Sequence, residues 1–431
     1  MGSFDSALSA LQAFSTAMNA VGNNLANMST TGFKTSEINF QDVMGTVTTD
    51  NTQVGNGVQE PTTEANFSQG SITTTGNPLD AAIEGNGFFL LTPAGSTGTV
   101  SPSSYEYTRD GSFQVGADGT LQTVNGANVQ GWSLDPATGQ VNTSGPVGNI
   151  TIPTGTTLPA VATSTVSISA NLDAAAAAGD SLSVPITVYD SEGGSHQLTL
   201  TMTKDATAPN QWDLTLSSTD PSIQNGASLS SLLSTTSLTF ANGELSSSTP
   251  TSITIKGLTY TTASGIPNQP TITWSPWTTA PTGTPPAGGA SGLTQFAETS
   301  AVTNVTQNGL AAGTLSGVQI ANGGVIMATF TNGAQTEIGQ IAVAGVQNPD
   351  SLMNIGSNDF SAGPTSVTLP PTVAQAGGAG QILGESLESS NVDMATEFTN
   401  LINFQAGYSA ASRVITTQDQ MIQQLMNVIQ P

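Results

Sequence analysis

"ALQAFSTAMNAVGNNLANMSTTGFK", residues 10–34, decides how the rest of this 431-residue chain is read. With the residues before it, it places Phe4, Ala7, Leu11, Phe14, Met18, Val21, Leu25 and Met28 at steps of three and four, and Leu8 beside them. That spacing is the apolar seam of a coiled coil. Asn27, Ser29 and Gly32 then break the helix. The other end of the chain repeats the pattern in "LINFQAGYSAASRVITTQDQMIQQLMNVIQ", residues 401–430. There Phe398, Leu401, Phe404, Tyr408, Ala411, Ile415, Ile422, Leu425 and Ile429 keep a three-four spacing, interrupted at Gln418. This second helix is expected to begin near Asn391, with Ser389, Ser390 or Asn391 as its N-cap and Asp393 and Glu397 in its first turns. At 1.5 Å per residue the two helices would be roughly 38 Å and 54 Å long.

The remaining faces of these helices are unusual. Ser6, Ser9, Gln12, Thr16, Asn19, Asn23 and Asn27 line one, and Thr399, Asn403, Ser409, Ser412, Thr416, Gln420, Gln423 and Asn427 the other. After Glu397 only Arg413 and Asp419 are charged. A hairpin that merely closed the molecule would use ion pairs four residues apart for solubility. Small and amide side chains suit surfaces that pack on identical neighbours or face a neutral, wet lumen. Alone, such helices are marginal. The apolar seam positions are therefore the expected assembly interface of a subunit whose ends fold when it assembles.

Charge narrows the function further. Five basic residues stand against 29 acidic ones, for a net charge of −24. Nucleic-acid backbones and anionic membranes both require clustered Lys or Arg, and Lys34, Arg109, Lys204, Lys256 and Arg413 are scattered. There is no cysteine, which removes disulfides and thiolate chemistry. No run of 18 apolar residues exists to insert into a bilayer. The N-terminus lacks the basic and apolar regions of a secretory signal. An acidic, Thr- and Gly-rich chain of this kind is expected outside the cell, exported without a cleaved leader.

Between the helices the hydrophobic period becomes two. "AAIEGNGFFLL", "SYEYTRDGSFQVGADGTLQTVNG" and "VQGWSL" read as short strands joined at Asn-Gly and Asp-Gly turns. A second β block includes "STVSISANL", "ITVYDSEGGSHQLTLTMTK" and "NQWDLTL". It lies between the low-complexity stretches "DAAAAAGD" and "WSPWTTAPTGTPPAGGASG". A third block, "GTLSGVQIANGGVIMATFTNGAQTEIGQIAVAGV", alternates again. Catalysis finds little support. The one histidine, His196, has no Ser-His-Asp partner set in view. The carboxylate pairs Asp110 with Asp118 and Asp190 with Glu192 sit in turns, where such residues serve local hydrogen bonding. No phosphate loop, metal cluster or cofactor motif is present, so the chain is not expected to be an enzyme.

At the ends, "GNNLANMSTTGFK" and "LESSNVDMATEFTNLINFQAGYSAASRVITTQDQMIQQLMNVI" resemble the paired signatures of the bacterial flagellar axial family, the rod and hook proteins. The motif positions are Gly22, Asn23, Asn24, Ala26, Asn27, Gly32, Phe33 and Lys34, with Asn391, Val392 and Asp393. "GNPLDAAIEGNGFFLL" and "YTRDGSFQVGADGTLQTVNGANVQGW" are similar to the family's shared β region. The second β block and residues 313–352 resemble hook members, which distal-rod members, being shorter, do not match. Gly194 stands where the family often has Asn, and Leu310 where an aromatic is common.

The resemblance implies a mainly β, multidomain fold with a terminal helical coiled-coil domain. Residues 1–28 and 391–431 would form the inner assembly domain, and 29–75 with 380–390 an extended linker. Residues 76–162 with 293–379 would form one β domain, and 163–292 an inserted outer one. It implies a self-assembling tube subunit that transmits torque as a universal joint and encloses an export channel. Its partners would be other copies of itself, the rod, the hook cap, the hook–filament junction proteins and the export apparatus. A distal-rod-type axial protein and a β-rich surface adhesin are the competing readings.

Overall fold

Two long helices bracket a chain otherwise built from strands. The computed structural model describes residues 2–43, 57–96, 104–135, 140–155, 157–225, 228–246, 252–261, 267–268, 271–276 and 292–429. Helix α1 is Gly2–Ala26 and helix α2 is Met394–Ile429. The chain divides into two units: Met1–Thr154 with Gly317–Ala328 and Gln335–Pro431, and Gly155–Ser316 with Thr329–Ala334.

In the first unit α1 and α2 lie antiparallel. Asn24, near the end of α1, meets Glu397, near the start of α2, while Phe14 meets Phe404 and Gly407. The cap of α2 differs from expectation. Asp393 Oδ1 accepts the Thr396 backbone N–H at 2.8 Å, so Asp393 is the N-cap and the helix starts at Met394. Asn391 is engaged elsewhere, as described below. The strand Asn128–Asp135 anchors the β part, pairing antiparallel with Phe88–Thr92 and with Gln335–Ile341. Phe88, Leu90, Tyr107, Ala344, Leu352 and Phe360 form a core cluster there. The segments between helices and core are paired rather than irregular. Ser36–Asn39 pairs with Thr62–Ala65, Ile72–Thr74 with Ser386–Glu388, and Ala81–Glu84 with Gln381–Gly384.

The second unit is built on a ten-stranded sheet. Its longest strands are Ser181–Tyr189, Ser195–Lys204 and Gln211–Ser217, in antiparallel register with Val184 opposite Leu200 and Leu200 opposite Leu216. Every second side chain is buried: Val184, Ile186, Val188, then Leu198, Leu200, Met202, then Trp212, Leu214, Leu216. Polar residues occupy the alternate positions, the pattern of strands with one face on a core. Each such large side chain contributes about 1.5–3 kcal/mol when fully buried. The expected outer domain, 163–292, lies inside this unit. Residues 293–307, expected with the first β domain, belong here instead: Ala301–Gln307 pairs with Thr165–Asn171 and Leu293–Thr294 runs parallel to the same strand. Most of the low-complexity stretch after Trp274 lies outside the described residues.

Candidate functional site: the helical pair and its joint

The seam between α1 and α2 is made by its small residues. Ala7, Ala13, Ala17 and Val21 are buried on α1, as is Ala411 on α2. Small side chains let two helix axes approach closely, which pushes larger neighbours to the flanks. Leu11, Phe14, Met18 and Leu25 are accordingly half-buried, and Phe4, Leu8 and Met28 are exposed. On α2, Leu401, Phe404 and Ile415 are half-buried, while Phe398, Tyr408, Ile422 and Leu425 are exposed; the Ile429 side chain lies outside the described residues. Phe14, Phe40 and Phe404 form an aromatic knot with centroids 5.9–6.4 Å apart. It is tight enough that a Cβ on Gly407 would stand 2.5 Å from the Phe14 ring. From Asp419 to Asn427 every side chain of α2 is exposed.

The motif residues build the joint where the helices meet the strands. Asn24, fully buried, accepts the Ser36 N–H at 3.0 Å and donates to Ser36 O at 3.1 Å and Glu397 Oε1 at 3.2 Å. Asn391 accepts the Thr35 N–H at 2.8 Å and donates to Asn66 O at 2.8 Å, stitching the start of α2 to the segment after α1. Asn27 caps α1 by donating to Asn23 O, and Thr30 donates to its carboxamide oxygen. Gly32 turns with φ +67°, and a Cβ there would stand 2.6 Å from the Asp110 nitrogen; only glycine fits both demands. Phe33 is buried beside it. Gly22 and Ala26 are exposed, and Val392 is half-buried.

At the centre of the joint is an ion triad that sequence inspection missed. Lys34 Nζ lies 2.6 Å from Glu388 Oε1 and Arg109 Nη1 lies 3.2 Å from Glu388 Oε2, with the Lys34 and Glu388 side chains at zero exposure. Two of the five bases, scattered along the chain, thus converge on one carboxylate. Glu388 also accepts the Gly70 N–H, while Arg109 donates to Ile83 O and Gly85 O and lies 5.3 Å over the Phe88 ring. Burial pulls both cations below their ordinary pKa ranges, and Glu388 opposes that shift in each. A carboxylate so enclosed costs several kcal/mol to desolvate, and two charge-assisted partners with one backbone N–H offset it. Glu397, by contrast, is raised by burial, only partly countered by the Asn24 hydrogen bond, and its Oε2 has no partner.

His196 is the second residue of the strand Ser195–Lys204, opposite Val188 at the edge of the hairpin, and is buried. Its Nε2 lies 3.2 Å from Asp190 Oδ2, its Nδ1 2.9 Å from Asp220 Oδ2, and its ring stacks on Tyr260 at 4.1 Å. The Ser222 hydroxyl is 2.8 Å from Nδ1 but also 2.6 Å from Asp220 Oδ1, so it is held as a turn group rather than poised as a nucleophile. Asp110, Asp118 and Asp190 likewise accept backbone N–H groups two residues on. Among the described residues no group of His and carboxylates is arranged to hold a metal, and no helix is long and apolar enough to cross a membrane.

Four family models match the chain. The flagella basal body rod protein model covers residues 4–34, and the flagellar basal body rod FlgEFG protein C-terminal model covers 384–428. The flagellar hook protein FlgE/F/G D1 domain covers 82–171, and the flagellar basal body protein FlaE D2 domain 157–310. The flagellar hook protein FlgE of Treponema pallidum is 31% identical, with 99% of each chain covered. That of Salmonella typhimurium is also 31% identical, over 99% of this chain and 100% of the relative. The chain belongs to the flagellar hook protein family. A solved Helicobacter pylori flagellar hook protein FlgE2 aligns at 14% identity, covering 72% of this chain and 99% of that one, with a TM-score of 0.45. The matches at the two ends of this hook-family chain hold both helices and both sides of the Lys34–Glu388 contact; the D2 match lies within the second unit.

Proposed function

We propose that this chain is the self-assembling subunit of the hook, a hollow, bendable tube outside the cell that carries torque from rod to filament. The observation that carries this is the exposure of large apolar side chains on the helical pair, set against the closed core of the second unit. A monomer that leaves Phe398, Leu425 and Met426 in water gains by burying them against copies of itself. The polar residues elsewhere on α2 would face neighbours or a channel through which later subunits pass. Its role is mechanical rather than catalytic, and its other partners are the rod, the hook cap, the junction proteins and the export apparatus. The second unit favours this reading over a distal-rod role. Electron microscopy of the purified protein at rising concentration tests it: tubes are expected, and a protein that stays monomeric throughout contradicts it.

A further inference from the structure

The second unit encloses a cluster of ionisable groups around the chain's only histidine. His196 Nε2 lies 3.2 Å from Asp190 Oδ2 and its Nδ1 2.9 Å from Asp220 Oδ2. Burial would raise both carboxyls, but their hydrogen bonds, those to His196 among them, outweigh it and keep both ionised in neutral solution. An ionised carboxylate only accepts. A neutral imidazole carries one N–H, so its other nitrogen would turn a lone pair on a carboxylate oxygen. The Ser222 hydroxyl does not relieve this. Its hydrogen goes to Asp220 Oδ1 at 2.6 Å, and it offers Nδ1 only a lone pair. Both ring nitrogens therefore donate, and the ring is the cation of the cluster, stacked on Tyr260. Tyr260 is the other titratable group against it, its hydroxyl raised by burial and then by Asp190 and Asp220. Among the described residues neither carboxylate is paired with a lysine or arginine.

Asp190 also shapes the turn that follows Ser181–Tyr189. Its Oδ1 accepts the Glu192 and Gly194 N–H groups, each at 2.8 Å. Against this turn lie the segments by which the chain enters the second unit and first leaves it. A Cβ on Gly193 would stand 2.9 Å from the Ala312 nitrogen and 3.0 Å from Ala160 Cβ. Thr163, at zero exposure, donates its N–H to Tyr189 O and accepts the Tyr189 N–H on its hydroxyl. Val161 bridges Leu310 between the two segments. We infer that His196 is a proton-operated clasp that holds the Asp190 turn to the Asp220 turn and so seats it on the entry and exit segments. With the ring neutral, two carboxylates face a lone pair and each other, and the seat loosens. The clasp belongs to the single chain and works whether or not copies assemble. It ties folding of the second unit to proton binding, so stability falls as pH rises.

As the only histidine, His196 gives a single imidazole signal in the full chain labelled at histidine nitrogen. Nuclear magnetic resonance of the monomer at about pH 7 should show hydrogen on both ring nitrogens. Loss of one in alkaline solution should move the backbone amide signals of Gly193 and Ala312 with it. A ring already neutral at about pH 7, or amides that ignore its titration, overturns the inference. Asp220→Asn should bring the loss of the ring hydrogen down by at least about one pH unit, and no change there overturns it too. Thermal melts give a second reading. From about pH 7 to about pH 9 the second unit's transition should fall by about 2–4 °C in the wild type and stay level in His196→Gln. A level wild-type transition, or an equal fall in His196→Gln, also overturns the inference. The wild-type titration decides even where a variant fails to fold.

Discussion

The helical pair and the sheet of the second unit solve the same problem in opposite ways. In the sheet, Val184, Leu200 and Trp212 have at most 2% exposure, and polar residues face water. In the helical pair alanines hold the centre, while Ile402 and Leu425 are more than 60% exposed. The sheet closes its core within its own unit. The pair leaves large apolar side chains in water. The joint sits between these extremes: polar throughout, yet with Asn24, Lys34, Glu388 and Asn391 satisfied by specific partners.

Removing residues 391–431 should break the contrast most severely. Assembly should be lost entirely, while the second unit's unfolding transition stays in place, followed by sedimentation and circular dichroism. Next, Glu388→Ala leaves two buried cations without their anion and should cost the first unit about 3–5 kcal/mol. Trp212→Ala should cost the second unit a similar ~3–5 kcal/mol. Urea transitions resolved by unit should show each loss in its own unit only. Gly407→Ala forces a methyl against Phe14 and should cost ~1–3 kcal/mol in the pair, read as lost helical signal.

Acidity offers the smallest and sharpest test. In the second unit, burial would raise Asp190 and Asp220, but hydrogen bonds, including those to His196, outweigh it and hold both below the usual carboxylate range. Their stabilisation is present above the ordinary carboxylate pKa of about 4 and is lost as pH falls through the depressed folded values. In the first unit, burial raises Asp359 to about 6, with Thr108 opposing and Glu106 and Asp110 adding, and raises Glu397 as well. Their contribution is present at low pH and lost as pH rises through the folded values. Lowering pH from 7 to 5 should therefore stabilise the first unit, and acid below about 4 should weaken the second. Thermal melts across that range, resolved by unit, check both signs.

Periodicity made the helices and most strands legible, because a period of 3.6 or 2 is written in adjacent residues. The alternation in "ITVYDSEGGSHQLTLTMTK" appears directly as buried and exposed positions. Spacing alone did not reveal which seam residues go inside, since Phe4 and Leu8 fit it as well as Ala13 and Ala17 do. Close approach of two helices selects small residues, and only the partner's position reveals that. The ion triad was hidden for another reason: Lys34 and Arg109 lie 354 and 279 residues from Glu388. A buried lysine with a short polar motif before it was the available signal, and "GFK" was read as a signature rather than as an ion site. Asn391 looked like a helix cap by composition, and its carboxamide was taken by Thr35 and Asn66 instead.

The central claim is that the helical pair is completed only by other copies of the chain. Hydrogen exchange measured on the monomer and on assembled tubes tests it most directly. Amides of α1 and α2 should exchange quickly in the monomer and become protected in the tube, most of all between Asp419 and Asn427, while the strands Ser181–Tyr189 and Ser195–Lys204 stay equally protected in both. Helices as protected in the monomer as in the tube would contradict the account.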